Sequence, residues 1–202
     1  MALLPPPWSS TGMPTDARQS NLLYSGIGQF NAGLRSGSVV QKIPLNAFRA
    51  PAAWKDALGD TATAAILGLA DTPGSPLLST AASGNTVTQS AVVAVALPDT
   101  YVPGGTVTVR IRAKQATTLL TVGTTVDLVA KLVGDTVGSD ICTTAAQTLS
   151  IAYANYDFTV TPTGLVAGDV LLLDCFLALN DTGGTVNTAA SITAVSIILG
   201  TS

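Results

Sequence analysis

The chain has 202 residues, 47% hydrophobic and only 10% charged, with nine basic against twelve acidic side chains and a net charge of −3. That composition suits one domain with a sizeable core plus an extension and lacks the basic footprint of a nucleic-acid binder. Histidine and glutamate are both absent, which removes Ser-His-Asp and Cys-His catalysis and most zinc sites. The expectation is a non-enzyme without cofactor or metal, whose low-charge surface suits packing against neighbours.

In chain order, residues 1–45 read as an extended N-terminal arm. Pro5-Pro6-Pro7 favours polyproline geometry, and the Ser, Thr, Gly, Asn and Gln that follow keep no helical or strand period. Leu22, Leu23, Tyr24, Ile27, Phe30 and Leu34 make the arm too apolar for a plain linker, so it is expected to order on a partner. The start Met-Ala-Leu-Leu-Pro-Pro-Pro-Trp has no basic region and no long apolar core, so it does not read as a signal peptide. Gly26-Ile27-Gly28 lacks the strand and the third glycine of a dinucleotide fingerprint.

Residues 46–84 form a transitional segment. Pro51 at a first helical position and Gly59 beyond the end predict a short helix over Ala52–Leu58, with Trp54 anchoring it to the core. Residues 62–70 are apolar and open between helix and strand, and Asp71-Thr72-Pro73-Gly74-Ser75-Pro76 breaks the chain.

Residues 85–202 carry short strands at regular spacing. Residues 105–114, Gly-Thr-Val-Thr-Val-Arg-Ile-Arg-Ala-Lys, are the clearest: Val107, Val109, Ile111 and Ala113 share one face, Arg110, Arg112 and Lys114 the other. Pro98, Pro103 and the Gly104-Gly105 pair turn the backbone just before it. Strands are predicted at 86–97, 125–133, 147–153 (Leu149, Ile151 and Tyr153 inward), 155–161 (Tyr156, Phe158 and Val160 inward), 170–180 and 185–199, with weaker ones at 119–122 and 141–143. About eight antiparallel strands predict an all-β, two-sheet jelly-roll sandwich with the arm and one short helical segment.

Two strands stand apart. Residues 170–179 are apolar on the odd face and also carry Val170, Leu172 and Phe176 on the even face around Asp174; residues 191–199 read as apolar on both sides. Such strands must be covered on both faces, which predicts an oligomer. This apolar run is also too short, at about half the ~20 residues of a membrane span, and contains Asp174. Asp174 is either a metal ligand or an intersubunit partner of Arg110 or Arg112, or else a solvated acid on an outer face. Cys142 and Cys175 fit two buried thiols, with a disulfide as the alternative. Asn180-Asp181-Thr182-Gly183-Gly184 lacks the alternating oxygens of a calcium loop and reads as a hairpin turn. For sugar stacking there is little, since Trp8 and Trp54 precede the sandwich and Tyr153 and Tyr156 fall on inward positions.

Residues 43–49 (Ile-Pro-Leu-Asn-Ala-Phe-Arg), Pro76-Leu77-Leu78, Leu97-Pro98 with Tyr101-Val102-Pro103-Gly104-Gly105, residues 165–171 (Leu-Val-Ala-Gly-Asp-Val-Leu) and Ile192-Thr193-Ala194-Val195 together resemble jelly-roll cement, or decoration, proteins of tailed bacteriophage heads. The resemblance covers residues 43–199. It implies a virion protein on the outer capsid surface, made in the host cytoplasm, that binds the major capsid protein as a homotrimer and locks neighbouring capsomers. On that reading Val170, Leu172, Asp174, Phe176, Arg110 and Arg112 form the subunit interface, and Leu22, Leu23, Tyr24, Ile27, Phe30 and Leu34 touch the shell. Neither nucleic acid nor a membrane is an expected partner. The alternative is a host-recognition or carbohydrate-binding jelly-roll module of a phage fibre, whose partner is a host glycan.

Overall fold

The computed structural model describes residues 38–51, 53–63, 65–72, 75–83, 85–116, 123–134, 136–180 and 188–200. Residues 1–37 of the predicted arm, with Leu22, Leu23, Tyr24, Ile27, Phe30 and Leu34, the weak strand at 119–122 and residues 181–184 of the hairpin turn lie outside the described residues.

Thirteen strands are described: β1 (Val39–Ile43), β2 (Arg49–Ala50), β3 (Ala53–Ala57), β4 (Gly68–Thr72), β5 (Ser75–Ser79), β6 (Val87–Ala96), β7 (Val107–Gln115), β8 (Thr125–Val133), β9 (Val137–Asp140), β10 (Gln147–Thr148), β11 (Ala154–Val160), β12 (Val170–Leu179) and β13 (Ala190–Leu199). They form two antiparallel sheets. The first runs β11-β7-β13-β5-β4, with β1 beside β13; the second runs β10-β8-β12-β6-β2-β3, with β9 beside β8. From β5 to β8 each connection crosses to the opposite sheet, and β11, β12 and β13 cross again on the way back. The orders β5-β13-β7-β11 and β6-β12-β8-β10 are those of a jelly roll, as predicted. Strands β1–β5, from residues 39–79, lie in the same two sheets as the strands after residue 85.

The core lies between the sheets because alternation points one side chain in two there. On β7 Val107, Val109, Ile111 and Ala113 are fully buried; on β12 so are Leu171, Leu173, Cys175, Leu177 and Leu179. Phe158 of β11 lies opposite Val109, which in turn faces Ile197 of β13. Leu173 lies between Val93 of β6 and Ala130 of β8.

The turn before β7 is built as its sequence requires. Tyr101 is buried and donates its hydroxyl to the Gly105 carbonyl at 3.1 Å. A Cβ on Gly105 would stand 2.6 Å from the Gly200 carbonyl oxygen, closer than any side chain tolerates. At the same end of the sandwich, Gly168 (φ +85°) supplies the left-handed step of the turn into β12. Its N–H and the Asp169 carbonyl then clasp Leu97 at the end of β6, at 3.0 and 2.7 Å.

Several sequence expectations give way to tertiary pairing. Residues 53–57 form strand β3 instead of a helix, because pairing with β2 overrides a sequence composed of helix-compatible residues. The only helical turn among the described residues is a 3-10 turn at Leu45–Ala47. Trp54 does not anchor the core; it is 46% exposed. The predicted strand 147–153 shrinks to β10. Leu149 is buried, but Ile151 is 54% exposed, because the Ser150 amide donates to Tyr156 Oη (2.8 Å) and the Ser150 carbonyl accepts from Gln115 N–H (2.9 Å).

The two strands read as apolar on both faces are central, one in each sheet, and they differ. A bulge between Ile192 and Ala194 shifts the phase of β13, so Ala190 and Ile192 point inward before it and Val195, Ile197 and Leu199 after it. Its outer face is left with Ser191, Ala194 and Ser196, and Ile198 is the one large apolar residue there. In β12 no bulge interrupts the pairing, so Val170, Leu172, Asp174, Phe176 and Ala178 do point outward.

Candidate functional site

The outer face of the second sheet carries a strip unlike the usual solvated face. Val170, Leu172 and Phe176 of β12 are half-buried, flanked on β8 by Val129 and Val133. An antiparallel sheet facing water ordinarily alternates apolar-in with polar-out. Beside Phe176 a cavity of about 290 Å³ is lined by Pro51, Ala65, Ile66, Thr88 and Ser90. Asp127 and Lys131 stand on β8 to either side of Val129.

Asp174 lies in the middle of this strip, between Val92 and Val129 on the neighbouring strands. It is neither a freely solvated acid nor a metal ligand with visible company. Its Oδ1 is buried without a hydrogen-bond partner, and among the described residues no three His, Cys, Asp or Glu side chains gather closely enough to hold a metal. Burial pushes its carboxyl up to about 6, against the opposing pull of the Ser90 hydrogen bond and the Lys131 charge.

The sign follows from linkage. A carboxyl whose folded value exceeds its unfolded value of about 3.9 is most favourable to the fold below that lower value, and the benefit is lost as pH rises through about 6. Asp174→Asn is therefore expected to raise stability at pH 7.5 by about 1 kcal/mol, allowing for the group's partial contact with water. At pH 4 it should be close to neutral. Thermal melts of both proteins at the two pH values check this; an equal difference at both would contradict it.

Arg110 and Arg112, expected to face Asp174 across an interface, lie on the other sheet and have partners there. Arg110 Nε and Nη2 donate to both carboxylate oxygens of Asp157, each at 2.7 Å. That bidentate pair holds the Asp157 carboxyl below its usual range. Arg112 lies over the Tyr153 ring, its guanidinium carbon 5.8 Å from the centroid. Tyr153 is therefore on the outer face of the first sheet and not inward; Tyr156 is buried, as expected. Asp157 was not legible as the partner of Arg110, since the two are 47 positions apart in sequence and only the sheet order brings them together.

Both cysteines are free: Cys175 is buried and Cys142 half-buried, and burial pushes both thiols up. Asn180 donates from Nδ2 to the Gly123 carbonyl at 3.0 Å. No helix among the described residues is long and apolar enough to cross a membrane.

No protein-family model matches the sequence, and no curated protein matches it either. Among solved structures the chain is similar to the xylan-binding module CBM15, at 16% identity and a TM-score of 0.49, over 82% of this chain and 99% of that one. It is also similar to TmCBM61 in complex with β-1,4-galactotriose, at 11% identity and a TM-score of 0.37, covering 83% and 92% of the two chains. A family 29 carbohydrate-binding module is similar at 10% identity and a TM-score of 0.39, over 82% and 94%. At such distances these likenesses carry no argument about what this chain binds.

Proposed function

We propose that this chain is a non-catalytic structural protein of a virus particle, a jelly-roll cement subunit that associates with copies of itself through the outer strip of the second sheet and holds a capsid shell. The observation that carries the reading is that strip: Val170, Leu172 and Phe176, with Val129 and Val133 beside them, are only half-buried, and covering the rest of such a side chain contributes about half of the ~1.5–3 kcal/mol of full burial. A second copy is its natural cover. Asp127 and Lys131 give the strip one charge of each sign, so two copies can offer complementary pairs, and a donor from a neighbour would satisfy Asp174 Oδ1. The homotrimer and the major capsid protein as partner follow from the sequence resemblance, which also assigns the shell contact to Leu22, Leu23, Tyr24, Ile27, Phe30 and Leu34. Several modest contacts carried on one oligomer bind far more tightly than each alone. Co-sedimentation of the full chain with empty shells of its source virus tests this: retention with the shells, and shells that melt at higher temperature, are expected. Protein left in the supernatant would sink the reading.

A second reading, a carbohydrate-binding module, is favoured by one observation. Trp54, expected to be inward, is 46% exposed, and Tyr153 lies half-buried on the outer face of the first sheet beneath Lys114; an exposed ring is what sugar stacking uses. Saturable binding to a glycan by protein that ignores shells would favour it.

A further inference from the structure

Three cations line the outer face of β7, and only the first has a carboxylate. Arg110 is neutralised by Asp157. Arg112 and Lys114 turn instead to Tyr153, with the Lys114 ammonium 4.6 Å from the ring centroid, and neither forms an ion pair among the described residues. A ring attracts a cation through its quadrupole without cancelling the charge. This leaves two uncompensated positive charges side by side on a chain whose net charge is −3.

Next to them is a cavity of about 400 Å³, within the size range of small-ligand sites. Its lining is mixed in a specific way. Lys114 supplies the charge, and Tyr153 Oη and Ser191 Oγ lie 3.2 Å apart as donors and acceptors, with Ser79 paired across from Ser191. Leu77 and Ala189 supply apolar wall. A bare inorganic anion would use the cations and leave the rest idle. A sugar ring bearing an acidic group would use all three kinds of surface.

We propose that this cavity binds an acidic saccharide, its carboxylate or sulfate held by Lys114, with the charge of Arg112, over the same Tyr153 ring, adding to the attraction. Its ring hydroxyls meet Tyr153 and Ser191, and its apolar face lies on Leu77 and Ala189. The proposal rests on the carbohydrate-binding reading and gives it a ligand class; it is independent of the strip on the second sheet.

The test is calorimetric titration of the full-length protein with three oligosaccharides: an oligogalacturonate, a sulfated galactan and a neutral galactan of equal length. At least one acidic ligand should bind about tenfold or more tightly than the neutral one, and more weakly as salt rises. Lys114→Gln should weaken that binding about tenfold, and Arg112→Gln, at an exposed position, should weaken it in the same direction. The two acidic arms tell a uronate from a sulfate ester. Equal binding of the neutral ligand, unmoved by Lys114→Gln, would sustain the carbohydrate reading and overturn the acidic site. Full displacement by inorganic sulfate at equal concentration would also overturn it, leaving a simple anion site. Absence of binding by all three would overturn both.

Discussion

Replacing Leu172 and Phe176 together by threonine is expected to shift the proposed oligomer toward monomers while leaving the sandwich folded. Both side chains point away from the core on an uninterrupted strand, so their loss opens no internal cavity. Threonine also keeps the β-preference of the backbone. Each is already half-buried, so covering the remainder contributes about half of the ~1.5–3 kcal/mol of full burial, and the pair is worth about 1.5–3 kcal/mol, or about 10–10² in the dissociation constant. Sedimentation velocity over a dilution series, with circular dichroism as the control for folding, reads the result. A pair variant that associates as tightly as the parent would mean that this strip is not the interface.

Phe158→Ala acts on the other side of the sheets. Phe158 is fully buried on β11, opposite Val109, and it ranks among the largest completely enclosed side chains. Truncation leaves a cavity that surrounding strands, fixed by hydrogen-bonded register, can close only in part. The expected cost is about 3–5 kcal/mol. In a chain of this length each kcal/mol lowers the melting temperature by about 2–4 °C, so a fall of about 6–20 °C is expected by calorimetry at matched protein concentration. A fall under about 2 °C would mean that the two sheets do not pack through this residue.

The contrast between β8 and β13 shows what kind of information the sequence carries. Strand β8 has the boundaries that simple alternation predicts; of the inward parity Val126, Leu128, Ala130 and Leu132, the first three are buried and Leu132 is partly so. In β13 the same rule misleads, because a bulge changes which parity points inward halfway along; an apparent two-faced strand is a one-faced strand with a phase shift. A bulge has no residue signature in Ser-Ile-Thr-Ala-Val, so only the pairing shows it.

Trp54 and Tyr153 fail for a related reason. Trp54 reads as a core anchor only while residues 52–58 are taken as a helix, which strand pairing replaces, and Tyr153 reads as inward only if a period of two runs past the end of β10 into an irregular stretch. The even face of β12, by contrast, was fully legible, since ten residues pair with β6 in continuous register and alternation survives. Asp174 was found by its apolar company alone. Its nearest polar contacts, Ser90 and Lys131, sit on strands 84 and 43 residues away in sequence and follow from the sheet order.

The cement reading depends on copies of this chain meeting through the outer strip of the second sheet. Its most direct test is the mass of the purified full-length protein by multi-angle light scattering, read beside the Leu172→Thr, Phe176→Thr pair variant. Three times the protomer mass for the parent and a single protomer mass for the variant is the predicted result. A parent that is monomeric at every concentration where it stays dissolved would contradict the account.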